Sequence, residues 1–152
     1  MPIPYPEGLP CALRENYSLQ TVSPLMRTQL ESGRARQRRR FTNVPTMAQV
    51  SWNMSPGQGQ IFEGWFRWLL KDGAEWATIP LKTPSGLADY ECRFTDIYQG
   101  PTPIGADKWR YTAELEIMER QTLPQDWIEL GSDFILNADL FDLALNQEWP
   151  EA

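Results

Sequence analysis

Residues 47–73 read MAQVSWNMSPGQGQIFEGWFRWLLKDG, and two hydrophobic periods meet in this stretch. From Met47 to Trp52 apolar and polar residues alternate, which is the period of a half-buried strand. Further on, apolar residues recur at spacings of three and four, the period of an amphipathic helix, at Ile61, Phe62, Trp65, Phe66, Leu69 and Leu70. The stretch therefore predicts a strand followed directly by a helix, each with one apolar face.

The sequence also indicates where this helix begins and ends. Ser55 is a candidate N-cap, Pro56 suits the first helical position, and Gln58 stands three residues after the cap, as in a capping box. Gly73 supplies the left-handed residue that commonly stops a helix. We therefore predict one packed amphipathic helix over about residues 55–72.

Three further strands are predicted after the helix. Trp76–Leu81 is short and is followed by a Pro-Ser-Gly turn at residues 84–86. Residues 90–95 and 109–117 alternate more clearly, with Tyr90, Cys92 and Phe94 on one face of the first of these strands. Because a loop with Pro and Gly joins the two, they are expected to form an antiparallel hairpin, with the helix covering one face. The predicted fold class is α+β.

The two ends of the chain differ from this core. Residues 1–33 contain five prolines and no sustained period, which predicts an extended arm with a turn of helix near Leu25–Leu30. At the other end, Ala138–Gln147 has the pattern of a short amphipathic helix within an acidic extension. The predicted organisation is an arm over residues 1–33, a core over 34–122 and an extension over 123–152.

Composition excludes several classes of catalytic and metal site. The chain of 152 residues has the length of one domain, carries a net charge of −6 and contains no histidine. Ser-His and Cys-His nucleophiles and His-based zinc sites are therefore impossible. The phosphate-binding patterns GxxxxGK[ST] and GxGxxG do not occur. We expect no enzymatic activity, no cofactor and no metal.

Five carboxylates on the predicted strands are the remaining catalytic candidates: Asp89, Glu91, Asp96, Glu114 and Glu116. They occupy flat polar strand faces, whereas a glycosidase-like pair needs two carboxylates fixed across a cleft. We interpret them as lining the open side of the hairpin, opposite Arg93 and Arg110 on the neighbouring strands.

Two cysteines, Cys11 and Cys92, do not make a disulfide framework in a chain of this length. Cys92 is expected to be a buried thiol, and the protein is expected in a reducing compartment. The first residues have neither a basic leader nor an apolar run, so we expect no signal peptide. No apolar stretch approaches the length of about 20 residues that a membrane span needs.

Charge is separated along the chain into a basic and an acidic segment. Residues 34–40 read RARQRRR, whereas residues 125–152 contain seven acidic residues and no Lys or Arg. Three interpretations of the arginine run remain open: a nucleic-acid contact, a solvated charge run, and a contact with an acidic surface of a neighbouring subunit. We favour the third, because the acidic end of the same chain is an available partner.

Seven tryptophans occur, and most fall on the predicted buried faces. Trp68 lies at the margin of the helical stripe and Trp149 lies in the acidic extension, so each is a candidate anchor of a subunit contact. The predicted subunit interface comprises Arg34, Arg36, Arg38, Arg39, Arg40, Trp68, Glu148 and Trp149.

The order of segments in the core resembles a known family. RRRFTNVP (38–45) is followed by VSWNMS (50–55), the helix PGQGQIFEGWFRWLLKDGAEW (56–76), TIPLKTP (78–84), YECRFTDI (90–97) and WRYTAELEIMER (109–120). This succession resembles the minor tail protein M family of lambda-like bacteriophages. The resemblance covers roughly Arg34–Thr122 and lies in the order and general composition of the segments.

The resemblance implies a mostly antiparallel β-sandwich of tail-tube type with one packed helix. It also implies a virion protein, assembled in the host cytoplasm, that forms a ring of commonly six copies at the tail tip and joins the tail tube to the hub. The expected partners are copies of the chain, the tail tube protein and the hub and tip proteins. Neither a membrane nor, in the favoured interpretation, nucleic acid is among them. No catalytic residue carries over from the family.

Overall fold

The computed structural model describes residues 1–120 and 122–148, and the chain divides after residue 121 into two units. In the first unit the described strands are β1 Ile3–Pro4, β2 Ser18–Thr21, β3 Leu25–Gln29, β4 Ala35–Arg39, β5 Thr46–Met54, β6 Ala77–Thr83, β7 Gly86–Phe94, β8 Gln99–Ile104 and β9 Lys108–Ile117. Its helix α1 Pro56–Gly64 continues as a π-helix, Trp65–Leu69. The second unit contains α2 Gln125–Leu130, α3 Ser132–Leu136 and α4 Ala138–Glu148. The described chain is α+β and rich in strand, as predicted.

A seven-stranded sheet organises the first unit. Its order is β1-β6-β7-β9-β5-β2, and β8 also pairs with β9. Strand β9 is antiparallel to β5 along its length, from the pair Thr46–Ile117 to the pair Met54–Trp109. On its other side β9 pairs first with β8 and then with the end of β7. The two predicted strands are antiparallel neighbours as expected, but they pair only from Cys92–Ile117 to Phe94–Leu115. Their connection contains a further strand, β8, which the prediction missed and which forms the hairpin with β9.

Helix α1 begins as predicted. Ser55 Oγ accepts a hydrogen bond from the Gln58 backbone N–H, and Gln58 Oε1 accepts one from the Ser55 N–H, at 3.4 and 3.0 Å. Pro56 is the first helical residue. The helix ends earlier than predicted, since the π-helix ends at Leu69, and Lys71 and Asp72 already have positive φ. Gly73 is left-handed as predicted, with φ +90°, and a Cβ there would lie 3.1 Å from Cβ of Phe94.

The second half of the helix differs from the prediction of one regular α-helix. Residues 65–69 form a π-helix, and the Leu70 N–H bonds to the Trp65 carbonyl, five residues back, at 3.1 Å. A π-turn holds more residues than an α-turn, so side chains beyond Trp65 are rotated relative to the predicted stripe. Four of the six predicted residues are buried, whereas Ile61 and Leu69 remain more than half exposed.

The core lies between the helix and one face of the sheet. Phe62 is fully buried at its centre, with ring centroids 5.1–6.5 Å from those of Trp52, Trp65, Phe94, Tyr98 and Tyr111. The Tyr111 hydroxyl donates a 2.9 Å hydrogen bond to Glu63, so the polar end of a buried ring is satisfied at the helix. The predicted buried faces of β5, β7 and β9 all contribute to this cluster.

The N-terminal arm is extended and bonded to both edges of the sheet. At one edge β1 is parallel to β6, and the Tyr5 N–H donates to the Thr78 carbonyl at 3.0 Å. At the other edge β2 is antiparallel to β5, and the Leu13 N–H donates to the Ser51 carbonyl at 2.8 Å. The arm therefore supplies partners for backbone groups that edge strands otherwise leave open.

The predicted turn of helix near Leu25–Leu30 is wrong. Residues 25–29 are strand β3, which is antiparallel to β4, a strand that lies within the arginine run. The turn between them contains Gly33 at φ +81°. Neither strand shows an apolar alternation, so the hydrogen bonds to the other strand decide the conformation of each. This pairing joins residues on both sides of the predicted domain limit at residue 33, and the limits themselves stay a prediction.

Both cysteines are free thiols, and Cys92 is buried as predicted. Burial raises the pKa of its thiol to about 12. The Cys11 thiol is exposed. In the part of the chain that the structure describes, no helix has the length and apolarity to cross a membrane.

Candidate interaction surface

The arginine run lies on a two-stranded ribbon that is separate from the main sheet. We call β3, β4 and their turn at residues 30–34 the arginine ribbon. It is inserted between β2 and β5, which themselves pair from Ser18–Gln49 to Thr21–Thr46. The ribbon therefore continues the β2–β5 hairpin beyond the ends of these two strands, where the Val22 N–H bonds to the Pro45 carbonyl and the Arg40 N–H to the Pro24 carbonyl. This placement brings Arg34, Arg36, Arg38, Arg39 and Arg40 together on one strand and its ends.

Both faces of the ribbon carry arginines. Directly opposed residues of antiparallel strands share a face, so the residue pairs show which arginine lies on which face. Met26 opposes Arg38 and Thr28 opposes Arg36 on one face, whereas Leu25 opposes Arg39 on the other. The Arg38 guanidinium lies against the Met26 sulfur, with 3.6 Å between Nη2 and Sδ. Every residue of β3 and β4 except Ala35 is exposed.

The positive charge of the ribbon is not neutralised within the described chain. Residues 22–41 contain six arginines and a single acidic residue, Glu31. The described ion pairs are Lys71–Glu75, Arg93–Glu116 and Arg110–Glu15, none of which includes a ribbon arginine. A concentrated, unpaired charge of this kind attracts anionic partners from a distance.

Exposed apolar side chains accompany these arginines. Val22, Leu25, Met26, Leu30 and Phe41 are all exposed. The Arg40 guanidinium carbon lies 5.1 Å from the centroid of the Phe41 ring. A two-stranded hairpin with no buried face has little stability of its own in water. The ribbon therefore combines charge and apolar area on an element that gains from being covered.

Trp68 belongs to a different element from the ribbon and lies on the exposed side of the π-helix. Its side chain is 73% exposed, and the Arg67 guanidinium carbon lies 4.9 Å from its ring centroid. Ile61 and Leu69 are exposed on the same helical segment. The cation–π partner of Trp68 belongs to its own helical segment, and the role of Trp68 as an anchor of a subunit contact stays a prediction.

The second unit presents acidic and apolar side chains together. No described residue of α2 or α3 is buried. Its exposed large apolar residues are Leu123, Trp127, Ile128, Leu130, Phe134, Ile135, Leu136, Leu140 and Leu143. Helix α4, at Ala138–Glu148, confirms the predicted helix at residues 138–147. The side chain of Glu148 and the whole of Trp149 lie outside the described residues, so their predicted interface role stays a prediction.

A pocket lies where α2 turns into α3. It has a volume of about 290 Å³ and is lined by Asp126, Trp127, Leu130 and Gly131. A Cβ at Gly131 would lie 3.0 Å from Cε3 of Trp127, so glycine permits the close approach of this ring. The Trp127 and Phe134 ring centroids are 6.5 Å apart. The pocket therefore has an aromatic wall and a carboxylate.

The strand carboxylates lie on the open face of the sheet. Arg93 Nε is 2.7 Å from Glu116 Oε2 across β7 and β9, as predicted. The prediction for Arg110 is wrong, because this residue pairs with Glu15 of the N-terminal arm at 2.9 Å instead of a neighbouring strand. The described residues contain no group of three or more His, Cys, Asp or Glu side chains placed to hold a metal.

Sequence reasoning missed the apolar half of both surfaces. Leu25, Met26 and Arg27 were assigned to a helical turn, although the Gly33 turn between two polar segments was a usable hairpin signal. In the second unit, Trp127 and Leu130 are three residues apart, a helical spacing that indicates α2.

Comparisons of the chain with protein-family models, with curated proteins and with solved structures found no match in any of the three. The resemblance to the minor tail protein family therefore rests on the order of segments in this sequence alone.

Proposed function

We propose that this chain is a non-enzymatic structural protein of a bacteriophage tail. It forms a ring at the tail tip, with six copies expected, and joins the tail tube to the hub and tip proteins. The succession of strand, helix and strands that resembles the minor tail protein M family supports this role. Tail-tube-like sandwich architecture and a location in the virion tail, after assembly in the host cytoplasm, belong to the same proposal.

The observation that carries the proposal is the arginine ribbon. Five arginines on this hairpin, and Arg40 directly after it, have no carboxylate partner among the described residues. In a chain with a net charge of −6, an acidic surface of another copy is a suitable partner for this ribbon. A ring needs two different complementary surfaces on every subunit, because its contacts are head to tail.

A different position in the virion is compatible with the same mechanism. A tail terminator or a head–tail joining ring is also built by contacts between identical neighbours. The order of segments does not separate these positions, so we keep them as alternatives within the same class.

Nucleic-acid binding is the second candidate function. A two-stranded β-ribbon is narrow enough to enter the major groove of DNA, and arginine is the residue that most often contacts phosphate and guanine. The exposed ribbon, with arginines on both faces, favours this candidate specifically. Retention on DNA at physiological salt, in the absence of any partner protein, would support it.

The test replaces Arg38, Arg39 and Arg40 with Glu. The variant is expected to keep the far-ultraviolet circular dichroism of the wild type, because all three side chains are exposed. Tails assembled with this variant in place of the wild type should be absent or incomplete by electron microscopy. A matched variant with Lys82, Lys108 and Arg120 changed to Glu makes the same change in net charge at exposed sites elsewhere and should give normal tails. Normal tails from the ribbon variant would contradict the proposal.

A further inference from the structure

We infer that the pocket formed by α2 and its C-cap Gly131 in one copy receives an arginine side chain from the arginine ribbon of an adjacent copy. The inference rests on the proposed function, since it identifies the acidic surface that the ribbon contacts in the ring.

The second unit has the properties of a segment that folds against a partner. Its three described helices contain 6, 5 and 11 residues. Isolated helices shorter than about 12–15 residues are marginal in water, and most helical stability in proteins comes from packing an apolar face. Here the apolar side chains of these helices are exposed, with Leu130 and Leu136 at 90% and 80%. A partner that covers them would stabilise the helices.

That partner must carry positive charge. Residues 125–152 contain seven acidic residues and no Lys or Arg, so these helices cannot pair their carboxylates with one another. A partner that buries these apolar side chains also desolvates the carboxylates beside them, and this is favourable only when the partner surface supplies positively charged side chains. The partner surface is therefore both apolar and basic.

The pocket itself is suited to a guanidinium. The Trp127 ring offers an aromatic face for a cation–π contact, and Asp126 offers a carboxylate on the same lining. A planar guanidinium can satisfy both together, because it stacks on rings and donates several hydrogen bonds in its plane. Leu130 lies beside them and accommodates the aliphatic part of an arginine side chain.

The ribbon is the surface of this chain that matches. Arg93 and Arg110 already pair with carboxylates, and Arg67 lies over Trp68. The ribbon arginines have no such carboxylate, and exposed apolar residues such as Leu25 and Met26 stand among them. The ribbon carries five arginines against one glutamate, and Arg40 follows it directly, so its charge is opposite in sign to that of the acidic helices.

The experiment uses two full-length variants that are defective in opposite ways. The ribbon variant carries Arg38→Glu, Arg39→Glu and Arg40→Glu, and the pocket variant carries Asp126→Lys, Glu129→Lys and Asp133→Lys. Sedimentation velocity of each alone should show the monomer. An equimolar mixture should form rings, because the reversed ribbon of one variant meets the reversed helices of the other and the two wild-type surfaces meet each other. A control with Glu7, Asp89 and Asp107 changed to Lys, all exposed in the first unit, should form rings alone.

A finer test addresses the aromatic wall. Trp127→Ala should weaken self-association about tenfold through loss of the cation–π contact, and Trp127→Phe should recover part of it. Leu87→Ala, an exposed change on β7 of the first unit, should leave the association constant unchanged.

The outcomes separate this inference from the proposed function. Rings from the pocket variant alone, with none from the ribbon variant, would overturn the pocket as receptor and keep the ribbon as a ring contact. Rings from a single chain that carries both sets of changes, without rings from the mixture, would place the contact within one chain and also overturn the inference. A wild type that stays monomeric at every concentration would overturn both.

Discussion

Replacing Phe62 with Ala tests the account of the core. Phe62 is fully buried and is surrounded by five aromatic rings, two from β5 and β9, one from β7, one from the helical segment and one from the β7–β8 connection. The substitution removes the central one of the aromatic contacts between the helix and the sheet. The residue beside it, Ile61, is 54% exposed and serves as the matched control.

The expected magnitude follows from burial. Truncating a buried Phe to Ala costs about 3–5 kcal/mol, because the transfer energy of the ring is lost and a cavity remains. The five surrounding rings cannot all move inward, so we expect about 4 kcal/mol here. With a denaturant dependence of about 2 kcal/mol per molar urea, the midpoint of unfolding should fall by about 2 M. Ile61→Ala should change the free energy of unfolding by less than about 1 kcal/mol.

Urea unfolding of the two variants and the wild type, followed by tryptophan fluorescence, measures these values. The denaturant dependence must stay the same in all three for the comparison to report stability. A loss below about 1 kcal/mol for Phe62→Ala, or an equal loss for Ile61→Ala, would refute the described packing of the helix on the sheet.

Three further predictions concern local features of the same unit. Gly59→Ala should destabilise the protein in urea unfolding, because the added Cβ would lie 2.7 Å from the hydroxyl oxygen of the buried Tyr111. Gly57→Ala, which has open space around it, should raise the free energy of unfolding by about 0.5–1 kcal/mol. The reverse order of stability would contradict the helix placement. In the native protein a thiol reagent should label Cys11 and spare Cys92, whose thiol is buried with its pKa raised to about 12; rapid labelling of Cys92 without denaturant would contradict its burial. Burial raises the pKa of Tyr111, and so do the hydrogen bond to Glu63 and the negative charge of that residue. The contribution of this shift to the free energy of unfolding is present below the unfolded-state pKa of about 10 and is lost as the pH rises above it. The free energy of unfolding should thus fall more steeply above pH 10 in the wild type than in Tyr111→Phe, and equal slopes would contradict this assignment.

The parts of the fold that the sequence predicts are those that depend on local pattern. The capping residues Ser55 and Gln58 satisfy backbone groups within one turn, so the helix start is readable without knowledge of the rest. The alternation in residues 46–54 and 108–117 reflects burial of one face, and both segments are strands. The π-turn after Gly64 has no comparable signal, since the spacing of the apolar residues continues through it without a break.

The ribbon was not predictable from the sequence for a different reason. Its strands bury neither face, so the apolar alternation that identifies a strand does not arise. The backbone hydrogen bonds of the arm were also not predictable, because their partners are distant in sequence: Ile3 pairs with Ala77, and Leu13 bonds to Ser51. The charge of Arg34–Arg40 was readable from the sequence, but its division between two faces required the pairing of β4 with β3.

Native mass spectrometry of the full chain, beside the variant with Arg38, Arg39 and Arg40 changed to Glu, tests the central claim most directly. The account predicts one closed ring for the wild type, with a mass that is a whole multiple of 17.6 kDa, and the monomer mass for the variant. A wild type that remains at 17.6 kDa at all concentrations, or a variant that forms the same ring, would contradict assembly through the arginine ribbon.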